Sequence, residues 1–289
     1  MFLNQIRRKE NKIMQDTINI LVSFDKNYVR PYKIMFKSLI VNNPDEKFHV
    51  WVLHNKLSNE TIKGLYDYTA LFGDHELSFI DVEDSFFDNS QITKQYPKEM
   101  YFRMLAPKLL PESLERIIYL DPDILVINSI RPLWELDIEG NPFAAASHTA
   151  LTEIKNSVNR VRLMMDSDYF NTGIIVMDLV KAREVVDSDE IHEFTENYKF
   201  PLILPDQDIF NHLFGKSTYQ LNDAYYNFDP RYLSRYSIAS NGLVTMNWIM
   251  QNTVIIHYCG KTKPWDKKRG NSFDVLYKHY MYNKVVKER

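Results

Sequence analysis

Between residues 18 and 82, β-rich apolar runs alternate with helix-length segments, and this alternation limits the fold more than any other feature of the chain. Ile18 to Phe24 (I-N-I-L-V-S-F) reads as a strand, followed by the polar turn Asp25-Lys26-Asn27-Tyr28 and a helix opened by Pro31 and running to about Val41. Phe48 to His54 reads as a second strand, Ser58 or Asn59 caps a second helix reaching about Phe72, and Glu76 to Val82 reads as a third strand. Strands separated by helical segments of roughly ten to fifteen residues predict an α/β fold, a mostly parallel central sheet flanked by helices on both faces. Ligands of such sheets lie beyond the carboxyl ends of the strands, where Asp25 and Asn27 fall.

The next strand end carries the densest chemistry. Arg116 to Leu120 is a short apolar run with two Ile and one Tyr, and it ends in Asp121-Pro122-Asp123 before a further apolar run, Ile124 to Ile127. Carboxylates at i and i+2 on an extended backbone point to one side, and Pro122 restrains both its own φ and the residue before it. Two acids between buried segments repel unless a cation intervenes, and oxygen donors favour Mg²⁺, Mn²⁺ or Ca²⁺ over Zn²⁺. The same tripeptide also suits a polar turn between strands.

Composition removes several function classes. A net charge of −3 gives no global positive field, which argues against a nucleic-acid partner. The single cysteine, Cys259, excludes an internal disulfide and a thiolate zinc site and fits a reducing cytosol. Only eight glycines are present and no G-x-G-x-x-G follows a strand, which disfavours a dinucleotide fold, a P-loop and a nucleotidyltransferase triphosphate loop. Residues 1–17 read as a frayed leader, too charged for a signal peptide or a membrane span. The 18 tyrosines suit either a ring-stacking groove or a large core.

Further along, Tyr96 to Leu110 predicts a helix with Pro97 in its first turn and a break near Pro107. Arg103 stands offset from Tyr101, Met104 and Leu105, as a solvated charge would. A short helix begins at Arg131-Pro132, and Phe143 to Ser147 reads as a small-residue strand. Tyr169 to Leu179 reads as a strand entered through Asn171-Thr172-Gly173, where Gly173 lets another group approach the backbone. An acidic helix over about Lys181 to Tyr198 follows. Pro205-Asp206-Gln207-Asp208 then opens an apolar helix, with the acids suited to ordinary helix-start chemistry and Gln207 able to stabilise a reacting centre. Val254 to Trp265 (V-I-I-H-Y-C-G-K-T-K-P-W) ends a strand in His257, an imidazole compatible with a mixed nitrogen and oxygen site for Mn²⁺.

Together Y-L-D-P-D-I-L-V, F-N-T-G-I-I-V-M-D-L and H-Y-C-G-K-T-K-P-W, with L-V-S-F-D-K-N-Y and D-Q-D-I-F-N, resemble glycosyltransferase family 8. That family includes bacterial lipopolysaccharide galactosyl- and glucosyltransferases and glycogenin. The resemblance spans Ile18 to Trp265 and implies a single GT-A domain, with residues 18–150 as the nucleotide-binding part, 151–265 as the acceptor part and 266–289 as a helical tail. It implies a retaining transfer of glucose or galactose from a UDP-sugar to a saccharide or glycolipid acceptor, with Mn²⁺ or Mg²⁺ as cofactor. By position, Asp121, Asp123 and His257 become metal ligands, and Ser23, Asp25 and Asn27 become uridine and ribose contacts. Gly260 and Lys263 would hold the diphosphate, Arg103 and Asn171 the donor sugar, and Asp206 and Gln207 would lie beside the anomeric carbon.

His148 stands where relatives often carry a sugar-contacting Asp, which leaves the donor hexose open. A self-glucosylating protein, a UDP-sugar hydrolase and a catalytically silent nucleotide-sugar binder are the rival readings. Localisation is expected to be cytoplasmic. Tyr277, Tyr280 and Tyr282 with Lys278, Lys284, Lys287 and Arg289 carry the expectation of weak membrane contact, without the long basic and aromatic tail of some relatives.

Overall fold

The computed structural model describes residues 16–82, 99–147, 163, 165–197, 204–266 and 271–283. Residues 1–15 of the expected leader, and the expectations for Tyr96, Pro97, His148, Lys284, Lys287 and Arg289, lie outside the described residues.

β1 (Ile18–Ser23), α1 (Val29–Val41), β2 (Phe48–His54), α2 (Asn59–Thr69) and β3 (Glu76–Asp81) are successive strand-helix units whose strands pair in parallel. α3 (Glu99–Leu109) leads to β4 (Arg116–Leu120), parallel to β1 on its other side. β5 (Ile124–Val126), α4 (Arg131–Trp134), β6 (Phe143–Ser147) and β7 (Phe170–Asp178) follow, and β7 runs antiparallel to both β4 and β6. α5 (Leu179–Val185), α6 (Ser188–Asn197) and α7 (Pro205–Phe214) precede β8 (Thr218–Leu221), which is parallel to β6. The chain continues through α8 (Asp223–Tyr226), α9 (Leu233–Ala239), α10 (Met246–Asn252), β9 (Ile255–His257) and α11 (Ser272–Tyr282). The sheet order is β3-β2-β1-β4-β7-β6-β8, and β5 and β9 form a separate antiparallel pair.

Side-chain alternation decides which face each strand residue serves. Ile20, Val22, Ile118 and Leu120 pack with Tyr32, Phe36 and Leu39 of α1, whereas Leu21, Ile117 and Tyr119 pack on the opposite face with Phe102 and Leu105 of α3 and Phe210 of α7. Asp121 continues the parity of Ile117 and Tyr119, so it leaves β4 toward α3. A third core holds Leu125 of β5, Ile256 of β9, Phe228, Phe273 and Tyr277.

Two local expectations are corrected. Pro107 does not break α3, which continues to Leu109. Tyr101, Phe102, Met104 and Leu105 are all buried, and burial worth about 1.5–3 kcal/mol for each large side chain outweighs a proline cost of about 3 kcal/mol. The expected acidic helix is two helices. Val186 is extended (φ −84°, ψ 117°), and the Asp187 carboxylate accepts from the amide of Asp189 at 2.9 Å to start the second. Tyr277 is buried in the third core and the Tyr280 hydroxyl accepts from Asn42 at 2.8 Å, so both rings are committed to packing α11 against the fold. Among the described residues no helix is long and apolar enough to cross a membrane.

Candidate active site

β4 and β1 are parallel, with Leu21 opposite Tyr119, so Ser23 and Asp121 emerge side by side at the same sheet end. The Ser23 hydroxyl is 3.1 Å from the Tyr119 hydroxyl, which in turn donates to Asp121 Oδ1 at 2.7 Å. Two residues on, Asp123 enters β5, and Ile124 pairs with His257 at the end of β9. The β5-β9 ladder therefore sets the imidazole beside the acid pair. Among the described residues Asp121, Asp123 and His257 form a group whose ligand atoms lie within 4.8 Å of one another.

The two carboxylates divide their oxygens in the same way. Asp121 Oδ1 takes Tyr119 and Arg103 Nη2 (3.1 Å), while Asp121 Oδ2 faces His257 Nε2 at 3.7 Å. Asp123 Oδ2 takes the Lys263 ammonium, and Asp123 Oδ1 faces His257 Nε2 at 3.3 Å. Each acid thus has one oxygen engaged by a cation and the other turned to the imidazole. The tautomer follows from an amide chain. Asn171 Oδ1 accepts from the Gly173 amide (3.0 Å) and from Asn227 Nδ2 (2.9 Å), so Asn227 Oδ1 is left to accept from His257 Nδ1 at 2.9 Å. That bond leaves Nε2 as the nitrogen that faces the acids.

Gly173 makes the convergence possible. It lies on β7 opposite Asp121, whose amide it accepts at 2.7 Å, and a Cβ on it would fall 2.1 Å from His257 Cε1 and 2.8 Å from Asp121 Oδ2. The electrostatics are equally constrained. Burial raises the Asp123 pKa, but His257 and Lys263 outweigh that and hold it well below the ordinary carboxylate range. Burial lowers the Lys263 pKa, and Asp123 outweighs it in the upward direction.

On the α3 side of the acid pair, Arg103 is 5 % exposed and not a solvated charge. It contacts Asp121, lies 3.7 Å from Asp206 Oδ2, donates to the Thr172 carbonyl at 2.6 Å, and covers the Tyr119 ring at 4.5 Å from its centroid. At the start of α7, Asp208 does the local structural work, accepting from the Tyr169 hydroxyl at 2.6 Å and the Leu204 amide at 3.2 Å. Asp206 is thereby free to face Arg103 and Thr172, and burial raises its pKa against the opposing pull of Arg103. Gln207 Oε1 accepts from Asn171 Nδ2 at 3.1 Å. Three buried or half-buried carboxylates, Asp121, Asp123 and Asp206, against the cations Arg103 and Lys263 leave one negative charge uncompensated before the imidazole is counted. The hard oxygens, one imidazole nitrogen and that residual charge fit Mn²⁺ or Mg²⁺.

Residues 19–269 match the family described as Glycosyl transferase family 8. The chain belongs to that family. Among the relatives of this glycosyltransferase, general stress protein A of Bacillus subtilis (strain 168) is 28 % identical over 92 % of this chain and 93 % of its own length. Lipopolysaccharide 1,2-glucosyltransferase of Escherichia coli (strain K12) is 24 % identical over 97 % and 80 %, and lipopolysaccharide 1,3-galactosyltransferase of Salmonella typhimurium is 23 % identical over 86 % and 73 %. The solved galactosyltransferase LgtC, in complex with donor and acceptor sugar analogs, superposes with a TM-score of 0.75 at 23 % identity, covering 91 % of this chain and 95 % of that one. The fold is GT-A.

Several residues that build the site of this family 8 enzyme carry no sequence signal of their own. Tyr119 and Thr172 read as ordinary residues of their strands, and Asn227 stands in irregular context. Tyr28 follows the turn of Asp25 and Asn27, where Asp25 accepts from the Asn27 amide at 2.9 Å. Burial raises the pKa of the Tyr28 phenol, with Lys263 opposing and Asp123, Asp121 and Asp25 adding to the rise. Gly260 has φ +89° and lies on the loop between His257 and Lys263.

Proposed function

We propose that this glycosyltransferase moves a hexose, glucose or galactose, from a UDP-sugar to a saccharide or glycolipid acceptor with retention of configuration, using Mn²⁺ or Mg²⁺. The observation that carries the reading is the convergence of Asp121 Oδ2, Asp123 Oδ1 and His257 Nε2 beside Lys263. The activities named for the lipopolysaccharide relatives support a hexose.

In this reading residues 18–150 form the nucleotide-binding part and 151–265 the acceptor part. Ser23, Asp25 and Asn27 hold the uridine and ribose, Gly260 and Lys263 the diphosphate, and Arg103 and Asn171 the donor sugar. Asp121, Asp123 and His257 hold the cation, which when bound supplies positive charge beside the departing diphosphate. Lys263 adds a second positive charge at the same place. The acceptor hydroxyl enters on the face from which UDP leaves, and its proton passes to the leaving phosphate oxygen. Gln207 stabilises the oxocarbenium-like centre, and its bond from Asn171 draws on Oε1 and favours that role over attack. The single cysteine supports a cytoplasmic setting, with at most weak contact to a membrane surface.

A donor screen tests this. With Mn²⁺ and a panel of sugar acceptors, UDP release is expected from UDP-glucose or UDP-galactose in preference to their N-acetylated forms and is expected to stop on chelation by EDTA. Release that is indifferent to chelation, or absent with all four donors, contradicts the reading.

A further inference from the structure

A second group of cations lies outside the reaction described above. Asp229 is wholly buried and caps the 3-10 turn Pro230–Tyr232, accepting from the Arg231 amide at 2.9 Å. A cap needs one side-chain oxygen, and Asn or Ser supplies it as well. What the carboxylate adds is a grip on the Arg231 side chain, taking Nε at 2.9 and 3.0 Å and Nη2 at 2.5 Å. The guanidinium is thereby fixed in direction although its side chain is 36 % exposed. Nη1 points at Gly260, where a Cβ would lie 2.3 Å from Nη1 and 3.2 Å from Cζ.

Gly260 sits on the loop between His257 and Lys263, so Arg231 borders the site already described. Arg235, one turn further on, shares the Tyr232 ring with it: their Cζ atoms lie 4.9 and 5.2 Å from the ring centroid. Lys261, next to Gly260, is exposed, as are Arg231 and Arg235. The cations assigned to the donor differ in kind, since Arg103 is buried and Lys263 mostly so. A group that enters from solvent and keeps part of itself there meets the exposed cations, not the buried ones. An exposed ion pair adds only about 0–1 kcal/mol to stability, which is a weak reason to bury Asp229 behind one.

We propose that Arg231, Arg235 and Lys261 form an anion-binding rim and that the acceptor carries a phosphate or a carboxylate, a proposal that rests on the donor-site reading given above. A guanidinium held in place by a buried acid presents its remaining N–H groups in fixed geometry, the arrangement that recognises such oxyanions.

The test is calorimetric titration of the full chain. UDP is titrated first with Mn²⁺ present, which examines the donor reading alone. Glucose, glucose 1-phosphate, glucose 6-phosphate and glucuronic acid are then titrated separately, with and without UDP. At least one of the anionic sugars is expected to bind about tenfold or more tightly than glucose, and phosphate against carboxylate is read from which one does. Arg231→Gln is expected to remove that preference and Arg235→Gln to reduce it about threefold, as suits an exposed charge. UDP affinity is expected to stay unchanged in both. Thermal melting checks that the variants fold, and Arg235→Gln serves alone if Arg231→Gln does not. Equal binding of glucose and every anionic sugar overturns the proposal, as does a preference that survives both substitutions. A loss of UDP affinity matching the loss of sugar affinity would assign the rim to the donor and overturn it as well.

Discussion

The ion-facing half of this candidate site and the amide half beside it are held together by different forces. Asp121, Asp123, His257 and Lys263 meet through charge, with each acid split between a cation and the imidazole. Gln207, Asn171 and Asn227 meet through neutral amides, anchored by the Gly173 backbone and ending on His257 Nδ1. A charge cluster is adjustable, because a cation that binds changes the balance every member feels. An amide chain is set by hydrogen-bond direction and stands without a ligand. Loss of a carboxylate on the first side should therefore register in cation binding and in rate together, and loss of Gln207 on the second in rate alone.

The largest effect is expected for Asp123→Asn, which removes the Oδ1 charge and should lower turnover about 10²–10³-fold at saturating Mn²⁺, with a melting temperature close to wild type. Near-normal turnover would break the comparison at its ion-facing end. Gln207→Ala comes next, with turnover reduced about 10²-fold and UDP and Mn²⁺ affinities unchanged. A parallel fall in Mn²⁺ affinity would mean that the two halves are one unit. Asn227→Leu tests the link between them. It removes the acceptor that fixes the His257 tautomer and should weaken Mn²⁺ binding about 10-fold, with a smaller effect on rate at saturating metal.

Those consequences were unevenly visible in the chain itself. The acid pair, His257 and Gly173 stand out because each sits at the end of a strand whose apolar pattern is plain. Arg103 did not stand out as buried, because its helix is apolar nearly all round and a single Arg in it reads as the solvent side. Asn227 was illegible because its role depends on β9 meeting β5, a contact between residues far apart in sequence. The parallel half of the sheet follows from strand-helix alternation. The antiparallel β7 does not, because its apolar stretch Ile174 to Met177, buried on both faces, carries no direction. Four-residue β8 and the short helices after it offer too few periods to read. Asp187-Ser188-Asp189 is a cap signal hidden in an acidic run.

The smallest effect separates the site from the fold beneath it. His49, His54 and His75, at the β2-β3 end of the sheet, all have pKa values lowered from 6.5 by burial. Below pH 6.5 the unfolded chain therefore binds more protons than the folded one. Stability is complete above that pH and declines as pH falls toward the lowered values, so melting at pH 5 should come a few degrees below melting at pH 7. The difference should persist in Asp123→Asn. Its disappearance there would place the acid sensitivity in the ion-facing cluster instead.

Electron paramagnetic resonance titration of Mn²⁺ into wild type, Asp123→Asn and His257→Ala, each with UDP present, measures the convergence on a common ion without relying on turnover. One site is expected in wild type, with affinity at least about 10-fold weaker in both variants. The same Mn²⁺ affinity in all three proteins would show that the acid pair and the imidazole do not share an ion.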